Sequence, residues 1–192
     1  DKIFESVVLS KNIIEFIVWI SDYTLSPIGL VLKLFLINEK IIDFSITEKK
    51  ENLFHSNSVK LNEDQINAVT EIQKLLIKPT VPLVLEGVTG SGKTEVFFEA
   101  IEFVIKKKQQ ALIMVPEISL TPQLETRFLK RFGFLPIVWH SKISEKKRKE
   151  IWHRCYLGES IIVVGARSSL FLPFKKLGLI VVDEEHDTSY KQ

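Results

Sequence analysis

The stretch Pro82-Leu83-Val84-Leu85-Glu86-Gly87-Val88-Thr89-Gly90-Ser91-Gly92-Lys93-Thr94 constrains this chain more than any other. A short apolar run feeds a glycine-rich turn that ends in Gly-Lys-Thr, with Gly87 and Gly92 at the G-x-x-x-x-G-K-[ST] spacing. The pattern predicts a strand, a phosphate-cradling loop (a P-loop) and then a helix from Glu95 onward. Glycines let the backbone curl its N–H groups inward, and the new helix adds its positive N-terminal end. Gly87, Val88, Thr89, Gly90, Ser91 and Gly92 then form the cradle, Lys93 reaches the β- and γ-phosphates, and Thr94 places its hydroxyl on Mg²⁺. Binding of a nucleoside triphosphate is the first functional expectation.

The rest of the chain fits around that motif. With 192 residues it can hold one sizeable core with a small neighbour, and its 45% apolar and 26% charged content is that of a folded globular protein. A net charge of +2 is too small to specify a nucleic-acid partner by itself. The single cysteine, Cys155, excludes an internal disulfide and an all-cysteine zinc site within this sequence, and fits a reducing cytoplasm. The chain starts at Asp1 without an initiator Met or the order of a signal peptide, so we expect an excised piece of a longer protein. No apolar run approaches the ~20 residues that span a bilayer, so no membrane segment is expected.

Residues 11–44 carry two helical apolar patterns, around Ile13, Ile14, Ile17 and Ile20 and around Ile28, Val31, Leu32 and Phe35. They are divided at Ser21-Asp22 and Ser26-Pro27, and the spacing suits a winged-helix or helix-turn-helix module as well as it suits plain helical packing. Residues 47–60 turn polar and read as a linker. Beyond them Asn62 caps a helix whose apolar face is Ile66, Val69, Ile72, Leu75 and Leu76, with Gln65 completing a capping box and Pro79 closing the helix. Four further β-branched-rich runs, at 111–115, 136–139, 161–164 and 179–182, alternate with helical patterns. Continuous apolar strands that alternate with helices predict an α/β fold with a central parallel sheet covered on both faces and ligands at the strands' carboxyl ends.

The last of these runs ends in Asp183-Glu184-Glu185-His186-Asp187. Unpaired carboxylates are costly to bury, so they belong at the exposed strand end, beside the glycine-rich loop. Asp183 is the candidate that holds Mg²⁺ opposite Thr94, and Glu184 the candidate that orients and deprotonates a water; Lys93, Asp183 and Glu184 form the candidate catalytic set. Residues 142–154 form a basic helix capped by Ser144 and stopped at Gly158, with Arg148, Ile151, Trp152 and Cys155 facing inward. Its outward Lys146, Lys147 and Lys149 read equally as a solvated face or as a nucleic-acid track, and Trp152 reads as core.

Residues 61–192 resemble the first motor lobe of a superfamily 2 DNA helicase, in particular the primosomal replication-restart helicases. The resemblance rests on residues 61–65 and 87–95, on Val115-Pro116-Glu117-Ile118-Ser119-Leu120-Thr121-Pro122-Gln123, on His140-Ser141, on Arg148 with Trp152, and on residues 165–192 with Ser189-Tyr190-Lys191-Gln192. Residues 11–44 resemble the family's winged-helix module through Trp19, Tyr23, Leu25-Ser26-Pro27 and Gly29, so residues 1–46 are expected to be part of such a module. The resemblance implies a RecA-like lobe in which Gln65 reads adenine, His186 couples the ATP site to DNA, and Pro116, Glu117, Ser141, Arg167 and Ser168 face single-stranded DNA. The family usually has threonine where this chain has Ala166 and alanine where it has Ser169, so one hydroxyl contact to the DNA backbone is expected to be missing. It also implies 3′-to-5′ translocation on forked or single-stranded DNA, primosome proteins and single-stranded DNA-binding protein as partners, and a bacterial, nucleoid-associated, cytoplasmic setting. The family's second lobe, its arginine finger and its zinc sites fall in a part not represented in this sequence, so the piece alone is expected to be inactive. Another P-loop enzyme, or a binding module without turnover, remains the alternative.

Overall fold

The computed structural model describes residues 8–36, 57, 59–78, 81–88, 90–116 and 122–191. The remaining parts of the expected winged-helix module and most of the expected linker lie outside them. The described helices are α1 (Lys11–Thr24), α2 (Ile28–Phe35), α3 (Glu63–Ile77), α4 (Lys93–Lys106), α5 (Pro122–Phe132) and α6 (Glu145–Leu157). The strands are β1 (Gln110–Met114), β2 (Ile137–Trp139), β3 (Ile162–Gly165) and β4 (Leu177–Val182), each on one of the four apolar runs beyond the glycine-rich loop. They form one sheet in the order β2-β3-β1-β4 with every pairing parallel. This is the expected α/β class.

β1 and β3 are buried along their whole length, because each presents both sides to helices. Ala111, Ile113, Ile162 and Val164 pack with Phe98, Ile101 and Val104 of α4 and Phe128 and Phe132 of α5. Leu112, Met114 and Val163 face the other way, onto Ile151, Trp152 and Cys155 of α6. Arg131 near the end of α5 is 3% exposed and ion-paired with Glu99 and Glu102 of α4. It also donates to the carbonyl of Asn57, whose own N–H and side-chain amide bond back to the carbonyls of Arg131 and Lys130. A buried guanidinium thus fixes the glycine-rich loop's helix to α5 and to the approach of α3.

Two expectations about local structure change. Ser21-Asp22 does not divide the N-terminal helices: α1 runs through it and ends at Leu25, which is left-handed at φ 54°, with Pro27 ahead of α2. The pair belongs to the last turn of α1: the left-handed Leu25 lets the Leu25 and Ser26 amides donate to the Asp22 and Ser21 carbonyls, and the Ser21 hydroxyl donates to the Ser26 carbonyl at 2.7 Å. The apolar run 82–85, expected to be a strand, carries no strand pairing. Val84 is 84% exposed, and the outer side of β4 is left as the sheet's edge. Hydrophobicity alone asks for burial, but a parallel strand also needs a neighbouring ladder in register.

On the far side of α6, α1 and α2 pack on each other through Ile17, Val31 and Phe35 and onto the sheet domain through Phe171. The Trp152 indole N–H donates to the Phe35 carbonyl at 2.7 Å, and Phe35 and Phe171 meet edge to face at 5.4 Å. No helix among the described residues is long and apolar enough to cross a membrane.

Candidate functional site

The glycine-rich turn is tightly drawn. Gly92 lies at φ 84°, and a Cβ there would stand 2.2 Å from Gln65 Nε2; a Cβ on Gly87 would stand 2.6 Å from Ser91 Oγ. The left-handed backbone at Gly92 favours glycine, whereas at Gly87 any larger residue would have to displace the Ser91 side chain. Gly92 precedes α4 without any side-chain cap, so the helix's first amides are left for a ligand or water. Lys93 curls back over the loop and donates to the carbonyls of Gly87 and, at 3.2 Å, of Val88. Thr89 lies outside the described residues.

Gln65 is tied at both ends of its amide. Its Oε1 accepts from the Asn62 N–H at 3.0 Å while Asn62 accepts from the Gln65 N–H, the expected capping box. Its Nε2 donates to the Ser91 carbonyl at 3.1 Å. The cap of α3 is therefore joined to the glycine-rich loop by one side chain. Ile66 departs from the expected apolar face and is half exposed.

β4 delivers the acidic turn. The Asp183 N–H donates to the Met114 carbonyl at 2.9 Å, extending the β1–β4 ladder to the sheet's rim. Glu184 then turns left-handed at φ 49°, its N–H donating to Asp183 Oδ1 at 3.1 Å. A non-glycine residue in that region stores backbone strain that surrounding bonds must hold. Those bonds are Asp187 N–H to the Glu184 carbonyl at 2.8 Å, and the Tyr190 hydroxyl to the Asp183 carbonyl at 3.1 Å. Burial, and then the charges of Asp183, Asp187 and Glu184, hold the Tyr190 phenol up at about 12.

One cavity of about 1510 Å³ gathers these parts: Gly87, Gly90, Ser91, Gly92, Lys93, Thr94, Asp183, Glu184 and His186 all line it. Its wall also includes the unpaired run 82–86, the open edge of β4, and side chains of α3, α4 and α5. Thr94 and Asp183 both line it with hard oxygen donors, the chemistry Mg²⁺ takes from protein while keeping water and phosphate as its other ligands. Among the described residues no group of three or more His, Cys, Asp or Glu could hold a metal ion by itself. Arg127 of α5 also lines this cavity, a cation that sequence reasoning missed because helix periodicity gives no sign of which loop a side chain faces.

The candidate nucleic-acid residues occupy the same rim. Strand order places the β2 turn with Ser141, the β3 turn with Arg167 and Ser168, and the end of β1 with Pro116 in one row, with Asp183 at its far end. Ser141, Arg167 and Ser168 are exposed; Pro116 is half-buried and also lines the cavity, and Glu117 lies outside the described residues. The hydroxyl of Ser169 is fully buried and donates to the Ala166 carbonyl, so it is directed into the turn. On α6, Lys147 pairs with Glu150 at 3.2 Å and Lys149 with Glu145 at 3.1 Å, so two of the three outward lysines are occupied within their own helix. Ser144 and Gly158 cap that helix as expected, and Trp152 is core.

A parallel sheet with a glycine-rich loop and an acidic turn on one rim is the arrangement of a RecA-like motor lobe. The chain matches the DEAD/DEAH box helicase family over residues 64–192 and belongs to it. Among individual proteins it is similar to Replication restart protein PriA of Rickettsia conorii, 43% identical over 190 residues, or 96% of this chain and 28% of that protein. Replication restart protein PriA of Helicobacter pylori J99 is 43% identical over 178 residues, and that of Bacillus subtilis 51% over 108 residues, 56% of this chain. The chain spans 28% of the length of the Rickettsia relatives it matches.

Proposed function

We propose that this chain is the ATP- and DNA-binding part of an ATP-dependent 3′-to-5′ DNA helicase that acts in replication restart and primosome assembly. The reading is carried by the convergence of Lys93, Thr94, Asp183 and Glu184 on one cavity, at the end of a row of exposed strand-end turns. The relatives' shared name, replication restart protein, supplies the cellular process.

In this reading the loop 87–92 and Lys93 hold the phosphates, Lys93 exchanging its bonds to the Gly87 and Val88 carbonyls for phosphate oxygens. Thr94 and Asp183 hold Mg²⁺, which when bound neutralises charge on the β- and γ-oxygens. Glu184 orients and deprotonates the attacking water. Gln65 reads adenine with the hydrogen-bond positions that Asn62 and Ser91 leave on its amide. His186 links the ATP site to DNA, which crosses Pro116, Glu117, Ser141, Arg167 and Ser168. Residues 1–46 serve as a winged-helix-like DNA-binding module, 47–60 as its linker and 61–192 as the first motor lobe. Forked or single-stranded DNA, primosome proteins and single-stranded DNA-binding protein are the partners, in the nucleoid of a bacterial cytoplasm. Zinc belongs to a region of the family outside this sequence.

The test is steady-state ATP hydrolysis with and without forked DNA, by the 192-residue chain and by a version extended past Gln192. The extended protein hydrolyses ATP with DNA stimulation, and either Lys93→Ala or Glu184→Gln abolishes that turnover. The shorter chain binds Mg²⁺-ATP weakly and shows no stimulated turnover, because an arginine finger from elsewhere contributes ~10³–10⁵ in rate. Wild-type turnover by Lys93→Ala would remove the proposal.

A further inference from the structure

At the carboxyl end of β2 the chain turns through His140, Ser141 and Lys142 into α6, and the turn is held from inside that helix. Arg148 donates from Nη2 to the carbonyl oxygens of His140 at 3.3 Å and Ser141 at 3.2 Å. Its guanidinium also lies over the Trp139 ring, with Cζ 5.2 Å from the centroid. Trp139 is buried, so this face of the arginine is anchored on a fixed platform. The Lys142 N–H donates to His140 Nδ1 at 3.1 Å. The turn's backbone is thereby bound inward, while the side chains of Ser141, Lys142 and Lys146 stand exposed. Lys147 and Lys149 are occupied by carboxylates of their own helix. A Cβ on Gly165 would stand 2.8 Å from the Trp139 carbonyl, so the β2 end and the β3 turn that carries Arg167 and Ser168 abut.

We infer that Arg148 is a positioning residue: it fixes the 140–142 turn so that Ser141, Lys142 and Lys146 make one phosphate-binding step at the outer end of the strand-end row. It does so without touching the nucleic acid. The inference rests on the single-stranded DNA reading above and adds Lys142 and Lys146 to the residues which that reading assigns to DNA. The residue type follows from geometry. A planar guanidinium can bridge two successive carbonyls while its flat face stacks on an indole; a lysine ammonium can bridge carbonyls, as Lys93 does, but has no flat face to lay on the ring. Since Arg148 is committed to carbonyls, its own charge is not the one offered to DNA.

Two measurements on the 192-residue chain test this. The first is fluorescence anisotropy of a labelled oligothymidylate across a salt titration, for wild type, Arg148→Gln, Arg148→Lys, Lys142→Ala and the Arg148→Gln/Lys142→Ala pair. The second is amide hydrogen exchange of the segment 137–146 in the same variants. Arg148→Gln weakens binding about tenfold, the low end of a charge-assisted hydrogen bond, with a salt slope shallower by ~0.7 for each phosphate no longer neutralised. Lys142→Ala adds little on top of it, because both act through one turn. Exchange at 140–144 quickens while β1 and β3 keep their protection, and Arg148→Lys behaves like Arg148→Gln despite keeping its charge. Additive losses, full affinity in Arg148→Lys, or unchanged exchange would each overturn the inference. Failure of the wild-type chain to bind the oligonucleotide would instead remove the DNA reading and the phosphate role with it. The exchange data would still report separately whether Arg148 holds the turn.

Discussion

Gln65 spends one hydrogen bond from each end of its amide inside the protein, on the Asn62 N–H and the Ser91 carbonyl. Gln65→Ala therefore removes half of a capping box together with a tether to the glycine-rich loop. Stability is expected to fall by about 1 kcal/mol in denaturant titrations, and the preference for ATP over GTP to relax on the proposed adenine role. Unchanged selectivity would leave Gln65 as cap and tether alone. Cys155 offers a second test at this scale. It is fully buried, and burial raises its thiol far above the ordinary range, with Arg154 opposing and Glu159 adding smaller effects. The native thiol should resist an aromatic disulfide reagent that labels the unfolded chain at once. Above ~8.5 the unfolded state loses this proton and the native state keeps it. The stability associated with the group is thus complete below that pH and declines above it. An alkaline decline equally steep in Cys155→Ala would assign it to other groups.

At the scale of elements, α6 shows how a charge run divides once it is folded. Lys147 and Lys149 face acids on their own helix, Lys146 does not, and Arg148 points inward. Replacing Lys146, Lys147 and Lys149 together by Ala should flatten the single-strand salt slope by about 0.7, the value for one phosphate, and not by about three times that. The larger change would mean that exposed ion pairs, individually weak, give way to phosphate. The run 82–86 makes a complementary point. It carries the residues of a buried strand, yet it lines the same cavity as the open edge of β4 and pairs with no strand, so the loop it feeds is held mainly by Gln65, by Lys93 and by the start of α4.

On the scale of the whole molecule, the N-terminal helix pair is fastened to the sheet domain. Phe35 is 1% exposed, its carbonyl takes the Trp152 indole N–H, and the Val8 N–H donates to the Tyr156 hydroxyl at 3.1 Å. Phe35→Ala leaves a large cavity and should cost about 3–5 kcal/mol. In the wild type, unfolding followed by circular dichroism and by tryptophan fluorescence should coincide. In Phe35→Ala the helix pair should detach first, separating the two curves. Coincident curves and an unchanged midpoint in the variant would show that the docking contributes little to stability.

Much of this architecture is legible in the residues alone. Continuous apolar runs mark all four strands of the sheet, as they must for β1 and β3, which are buried on both faces; β2 and β4 are apolar too, although the structure leaves them partly exposed at the edges. Caps announce themselves at Asn62, Ser144 and Gly158, because the groups they satisfy lie within a few residues. The glycine-rich loop and the acidic turn are readable for the same reason: their geometry is local, and glycine or a left-handed residue has to stand where it does. Only the fold decided the rest. The strand order that lines up the 116, 141 and 167 turns, the gathering of Lys93 with Asp183 in one cavity, the commitment of Arg148 to two carbonyls and the burial of Arg131 between two glutamates all join residues far apart in the chain. Nothing in a local pattern carries the identity of a distant partner. The failure of 82–85 to pair has the same cause, since a strand exists only where another supplies its ladder.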